Sequence, residues 1–269
     1  MVLQLSTVIF TDGADVVPAS GVEKILNTGT TNTLAGKDII TGVDNEDYNV
    51  ALENSSFSIL DTGDGNDIIT GDHSIGSGYG IKNPLFGSID TGKGHDIITG
   101  MGSVAIYNDG TINTGDGNDV IIGIQTDEGG VPITNYLSGS IDTGDGNDVI
   151  TANSLGIDND GIINTGNGND SIIANFLSGN DQGRVFLGDG KDYLKGFGSG
   201  NFNGGNGKDT LELTRGNYVV DISGTTVNFI GYNYSGISIM ITSEFEKLQA
   251  GDTTYNFNSL TNGQTIFVA

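Results

Sequence analysis

The stretch Asp61-Thr62-Gly63-Asp64-Gly65-Asn66-Asp67-Ile68-Ile69 recurs along this chain and limits what the chain can fold into. It returns at 90–98, 113–121, 142–150 and 164–172. Shorter echoes end at Asp192-Tyr193-Leu194 and Asp209-Thr210-Leu211, and a degenerate first copy ends at Asp38-Ile39-Ile40. With the last Asp of each copy as marker, the markers are Asp38, Asp67, Asp96, Asp119, Asp148, Asp170, Asp192 and Asp209, spaced by 29, 29, 23, 29, 22, 22 and 17 residues. Self-similarity at such a period signals units that stack on one another, because one unit alone cannot bury its apolar face.

The side-chain pattern identifies the unit. Two residues after each marker stands an apolar residue: Ile40, Ile69, Ile98, Ile121, Ile150, Ile172, Leu194 and Leu211. Seven residues before the markers from Asp67 onward stand Leu60, Ile89, Ile112, Ile141, Ile163, Val185 and Phe202. These form two inward columns on short strands that flank a glycine-rich turn, with the period-2 alternation of β-structure. No stretch carries convincing helical spacing. The expected fold is all-β: a right-handed parallel β-solenoid (β-roll or β-helix) with terminal caps. Residues 1–32 are expected to form an irregular N-terminal cap with a short helical turn around Val22 to Leu26, and Met1–Phe10 has no basic leader region. Residues 33–213 are the repeats. Residues 214–269 are a C-terminal β cap, with strands at Val227–Ile230 and Ile237–Ile241. A second, Asp-poor turn is marked by Gly87, Gly110, Gly139, Gly161, Gly183 and Gly200. An ion ladder is therefore expected along one edge only. Insertions around Tyr79–Leu85 and Gly129–Leu137 are expected to be partner-contacting loops.

Composition narrows the function. The chain has 34 acidic and 10 basic residues, a formal net charge of −24. This disfavours nucleic acid, which is bound by neutralising phosphates, and favours cations. Cysteine is absent, so no disulfide contributes. No run approaches the roughly 18 apolar residues of a membrane span, and no membrane insertion is expected.

Stacked at about 4.8 Å, neighbouring marker carboxylates repel by roughly 3.5 kcal/mol at an effective dielectric of about 20. Several such pairs outweigh the roughly 5–15 kcal/mol that holds a domain together. Read as turn-exposed groups, the aspartates would not be protonated near neutral pH, which leaves a bound cation. The turn offers only oxygen donors, carboxylates and glycine carbonyls, and these suit a hard ion of flexible coordination, Ca²⁺. The candidate ligands are Asp38, Asp67, Asp96, Asp119, Asp148, Asp170, Asp192 and Asp209, with the turn glycines Gly63, Gly65, Gly115, Gly117, Gly144 and Gly146.

The repeated turn resembles the Gly-Gly-x-Gly-x-Asp-x-hydrophobic-x nonapeptide of RTX (haemolysin-type) calcium-binding proteins. Thr62, Thr91, Thr114, Thr143 and Thr165 stand in place of the first glycine. The segment from Asp209 to Leu213 and that from Phe245 to Asp252 are similar to the closing segment of such arrays. The resemblance implies Ca²⁺ bound between adjacent coils by marker carboxylates and turn carbonyls. It also implies an extracellular protein that leaves the cell by type I secretion without a cleaved N-terminal signal, and the apolar end Thr265–Ala269 is compatible with an uncleaved C-terminal signal. This chain departs from the family in carrying one motif per coil and in placing Lys93, Lys191 and Lys208 inside turns.

Other function classes fit less well. His73 and His95 lie 22 residues apart, about one coil, and read as exposed loop histidines; Arg184, Lys195 and Arg215 form no constellation. No enzyme is expected, although a polysaccharide-active β-helix is the alternative. Ice binding would use outward rows of Thr62, Thr91, Thr114, Thr143 and Thr165 and of Asn66, Asn118, Asn147 and Asn169, yet the position between the glycines is mostly charged. Calcium ions are the first expected partner, followed by a surface polysaccharide or another extracellular protein.

Overall fold

The computed structural model describes residues 2–18, 23–44, 46, 49–127, 129–179, 182–233 and 236–269. The chain winds as a parallel β-solenoid in which each coil contributes a strand to each of three sheets, here called faces 1 to 3. Face 1 runs from Val2–Gln4 and Lys24–Asn27 through Tyr79–Asn83 to Leu177–Ser178. Face 2 starts at Thr30–Asn32 and passes through Ile59–Asp61 and Ser88–Asp90 to Arg184–Phe186 and Gly200–Asn203. Face 3 starts at Val16–Val17 and passes through Ile68–Asp72 and Val120–Gln125 to Thr210–Leu213 and Lys247–Ala250. The repeated Gly/Asp turn is the corner between faces 2 and 3.

Register between coils is strict, with Ile39, Ile68, Ile97, Val120 and Val149 paired in turn. The two apolar columns read from the sequence are the interiors of faces 2 and 3. Face 1 adds a third column, Ile25, Leu52, Ile81, Ile106, Ile133 and Ile157, all fully buried. Each of these is followed two residues later by an asparagine at the corner into face 2. Asn27, Asn54, Asn83, Asn108, Asn135 and Asn159 form a buried amide ladder in which each Nδ2 but the last donates to the next Oδ1 at 2.7–2.9 Å, and Asn159 Nδ2 donates to Arg184 O at 3.1 Å. The same Nδ2 groups donate to strand carbonyls such as Thr111 O and Ser140 O, both at 3.0 Å. A buried polar group must find partners or cost stability, and this ladder satisfies itself along the axis.

Face 1 ends at Leu177–Ser178 while the other two continue, which accounts for the last interval falling to 17 residues. The C-terminal segment forms an antiparallel meander, Gly216–Ser223, Thr226–Asn233 and Gly236–Ser243, that continues face 2 through Gly200–Asn203. Tyr218, Phe229, Met240, Phe245 and Phe257 fill the space beneath it. Both strands expected there lie within this meander.

The structure departs from expectation in places. The N-terminal residues are less irregular than expected, because Val2–Gln4, Val16–Val17, Lys24–Asn27 and Thr30–Asn32 already pair with the three faces. The expected helical turn is a strand from Lys24 onward, and Val22 lies outside the described residues. Tyr79–Asn83 and Ile133–Asn135, expected in loops, are face 1 strands.

Candidate functional site

The Gly/Asp corner is built by close approach of coils. A Cβ on Gly63, Gly65, Gly115 or Gly144 would lie 1.6–2.0 Å from a carbonyl oxygen of the preceding coil, and one on Gly117 or Gly146 only 1.3 Å away. Gly63, Gly115 and Gly144 also take φ of 80–86°, which L-residues rarely adopt. The six glycines singled out in the sequence therefore let the coils nest.

Nesting carries the marker aspartates inward. Contrary to the turn-exposed reading, Asp38, Asp67, Asp96, Asp119, Asp148, Asp170, Asp192 and Asp209 are buried, none more than 2% exposed. They form a single ladder. From Asp67 onward, Oδ1 of each accepts the backbone N–H of the marker one coil earlier, from Asp38 N to Asp67 Oδ1 (2.8 Å) through to Asp192 N to Asp209 Oδ1 (2.9 Å), and Asp38 Oδ1 accepts the N–H of Asp15 at 2.8 Å. The last rung is completed by the C-terminal cap, where Asp209 N donates to Glu246 Oε2 at 2.7 Å. Glu246 is a member of the column without repeat spacing, so periodicity does not reveal it.

The second carboxylate oxygen differs. Oδ2 of Asp67, Asp96, Asp119, Asp148, Asp170, Asp192 and Asp209 is buried without a hydrogen-bond partner. The neighbouring threonine hydroxyls are directed elsewhere: Thr91, Thr114, Thr143 and Thr165 donate to Thr114 O, Thr143 O, Thr165 O and Leu187 O at 2.8–3.3 Å. At the first rung Thr33 donates to Oδ2 of Asp38, and Thr62, Thr91, Thr114, Thr143 and Thr165 lie near enough to the carboxyls of Asp67, Asp96, Asp119, Asp148 and Asp170 to pull them partly down.

Burial is the main cause that pushes these carboxyls up, and the donated backbone N–H groups pull them partly back. Asp96 and Asp170 rise to about 7, and Asp148 and Asp209 to about 6. Asp67, Asp119 and Asp192 are raised for the same reason.

The donor set tests whether a cation fits. It is all oxygen: an orphaned carboxylate on each rung, a threonine hydroxyl and closely packed glycine carbonyls. That is a hard-ion environment. Among the described residues no three His, Cys, Asp or Glu side chains converge as a metal group. An ion in this column would therefore draw on two markers from neighbouring coils and on backbone oxygens. The residues fit on those terms.

The other candidates move. Thr62, Thr91, Thr114, Thr143 and Thr165, considered as an outward row, are buried at 1% exposure or less. His73 is fully buried rather than a surface loop residue, with Nε2 2.8 Å from Glu46 O. His95 is exposed and belongs to a second, outer ladder. It donates N–H to Asn66 Oδ1 at 2.9 Å and accepts Asn118 N–H on Nδ1 at 2.8 Å, and Asn118, Asn147 and Asn169 continue the run. The two histidines are not neighbours in one site.

No family model, no curated protein and no solved structure matches this chain.

Proposed function

We propose that this chain is a calcium-binding β-solenoid in which Ca²⁺ between coils neutralises the aspartate column and so couples ion binding to folding. The observation that carries the reading is the run of seven orphaned, buried Oδ2 atoms on consecutive rungs. A buried carboxylate with an unmatched charge costs several kcal/mol, and a repeated cost needs a repeated remedy. Asp67, Asp96, Asp119, Asp148, Asp170, Asp192 and Asp209 would hold the ions, helped by carbonyls of the nested glycines; Asp38, engaged by Thr33, would contribute least. The ion would supply the positive charge that the buried carboxylates lack, with oxygen donors from two neighbouring coils. In this reading the likeness to RTX repeats is functional. The working compartment is then one with millimolar calcium, outside the cell, since extracellular calcium modules bind at about 10⁻⁴–10⁻³ M.

The test is circular dichroism and calorimetric titration at neutral pH, in excess chelator and then in millimolar calcium. The reading requires a weaker β-signal and a lower melting temperature in chelator than in calcium, a cooperative gain on adding calcium, and more than one ion bound per chain. A chain fully folded in chelator at neutral pH, with no heat on adding calcium, would end it.

A further inference from the structure

The corner between faces 1 and 2 carries an apolar ridge. Phe57 is 76% exposed, Phe86 and Leu137 62%, Tyr136 44% and Ile162 42%. Phe57 and Phe86 occupy the same place in consecutive coils, each two residues before paired Ile59 and Ser88. Their rings stack with centroids 4.9 Å apart and planes 27° apart.

Both phenylalanines are held at φ 63°, a region that bulky residues rarely enter and that turns of this kind usually give to glycine or asparagine. The fold does not need it. The corresponding turn at 136–139 closes with the same hydrogen bond, Gly139 N to Tyr136 O at 2.7 Å, as Gly87 N to Pro84 O at 2.8 Å. Ser138, at the place of Phe86, is not left-handed. A chain with 45 glycines thus keeps two aromatic rings in a strained conformation and leaves them in solvent, where little packing offsets the strain. Strain of this kind gathers at functional positions, and exposed apolar patches mark binding surfaces.

Beyond the ridge, face 2 is locally indented. Two adjoining depressions of about 450 and 280 Å³ share Arg184 and Asn201. Their walls add amides and hydroxyls (Gln182, Asn203, Ser243) and the Asp160 carboxylate beside the ring of Phe186.

We propose that this corner binds a neutral polysaccharide laid along the solenoid axis, with sugar rings stacking on the Phe57–Phe86 pair and hydroxyls meeting the polar groups near Arg184. A pyranose ring presents a flat C–H face that suits an aromatic surface, and its hydroxyls suit the amides, hydroxyls and charged ends of a cleft that is polar and apolar in similar measure. From the coil of Phe57 to that of Arg184 the track crosses five coil steps, about 24 Å at about 4.8 Å each. That is the reach of an oligosaccharide rather than of a single sugar. A net charge of −24 repels polyanions, so a neutral chain is the matching class. This inference does not depend on which ion the aspartate column holds.

The experiment is affinity electrophoresis of the full chain, in millimolar calcium, through gels containing hydroxyethylcellulose, laminarin or galactomannan, with polygalacturonate as the anionic control. At least one neutral polymer should retard the protein, and polygalacturonate should not. The double variant Phe57→Gly/Phe86→Gly should lose at least tenfold in affinity while melting at the same temperature or higher, because glycine accepts the left-handed turn. Retardation by none of the neutral polymers overturns the proposal, as does a double variant that binds like the parent or binding of polygalacturonate alone. Sedimentation provides the remaining check. If the parent forms a dimer that the double variant cannot, the ridge is a contact between copies of this chain and the proposal fails.

Discussion

The backbone N–H of Asp67 donates to Oδ1 of Asp96 at 2.7 Å, one coil further along, and Asp96 Oδ2 beside it is buried without a well-formed hydrogen bond. One half of each carboxylate thus serves the fold, and the other half calls for a proton or a cation.

Replacing Asp119 by Asn separates these two demands. The amide keeps an oxygen for Asp96 N–H and removes one buried charge. In chelator at neutral pH the variant should gain about 1–3 kcal/mol over the parent. In millimolar calcium it should be the less stable of the two. Urea titrations in both conditions provide the check, and an equal loss in each would show that Asp119 has only a structural role.

Protons should substitute for the ion. The carboxyls of Asp67, Asp96, Asp119, Asp148, Asp170, Asp192 and Asp209 titrate higher in the folded chain than the ordinary 3.8, with Asp96 and Asp170 at about 7 and Asp148 and Asp209 at about 6. Groups raised by folding bind protons more tightly when folded. Their stabilisation is full below the unfolded value near 4 and is lost as pH rises through 6 to 7. The chelated protein should therefore melt at least about 5 °C higher at about pH 5 than at about pH 8. Calcium should remove most of that difference. A chelated chain that is more stable at the alkaline end would contradict this account of the column.

The asparagine ladder should be indifferent to the ion. Asn108→Ala removes the acceptor for Asn83 Nδ2 and the donors to Asn135 Oδ1 and Ser140 O. A cost of about 3 kcal/mol is expected from the unpaired partners, in calcium and in acid alike. Denaturation midpoints under both conditions test it.

Glycine at the nested corner should tolerate no side chain. A Cβ on Gly117 would sit 1.3 Å from Gly94 O, whereas Gly224, at φ 62°, has nothing within 4 Å of its Cβ position. Gly117→Ala should cost more than about 4 kcal/mol, and Gly224→Ala about 1–2 kcal/mol from backbone conformation alone. Thermal melts of the two variants in calcium would expose a reversed order.

The columns of faces 2 and 3 were legible in the sequence because their spacing to the marker Asp is constant. The face 1 column was missed because its distance from the marker varies with loop length. Its own signal is an Ile or Leu followed two residues later by Asn, as in Ile81-Lys82-Asn83 and Ile106-Tyr107-Asn108. Turn propensity misled the reading of the markers, which was that aspartates beside glycines lie outside. Strand parity gives the opposite answer, since Asp67 stands two residues from inward Ile69 and Thr62 two from inward Leu60. The same count carries through Gly71 to His73, which is buried. Glu246 could not be found by periodicity, because it reaches Asp209 from the cap.

The contact between Asp209 and Glu246 also gives the ladder a direction. Each rung's N–H is held by a carboxylate that lies later in the chain, and the final one belongs to the cap. While the ribosome is still making the protein, the newest rung always lacks its acceptor, and the piece that closes the series is made near the end. Each rung thus stays open until the coil after it has been made, and the Asp209 rung stays open until Glu246 of the cap arrives to close the column.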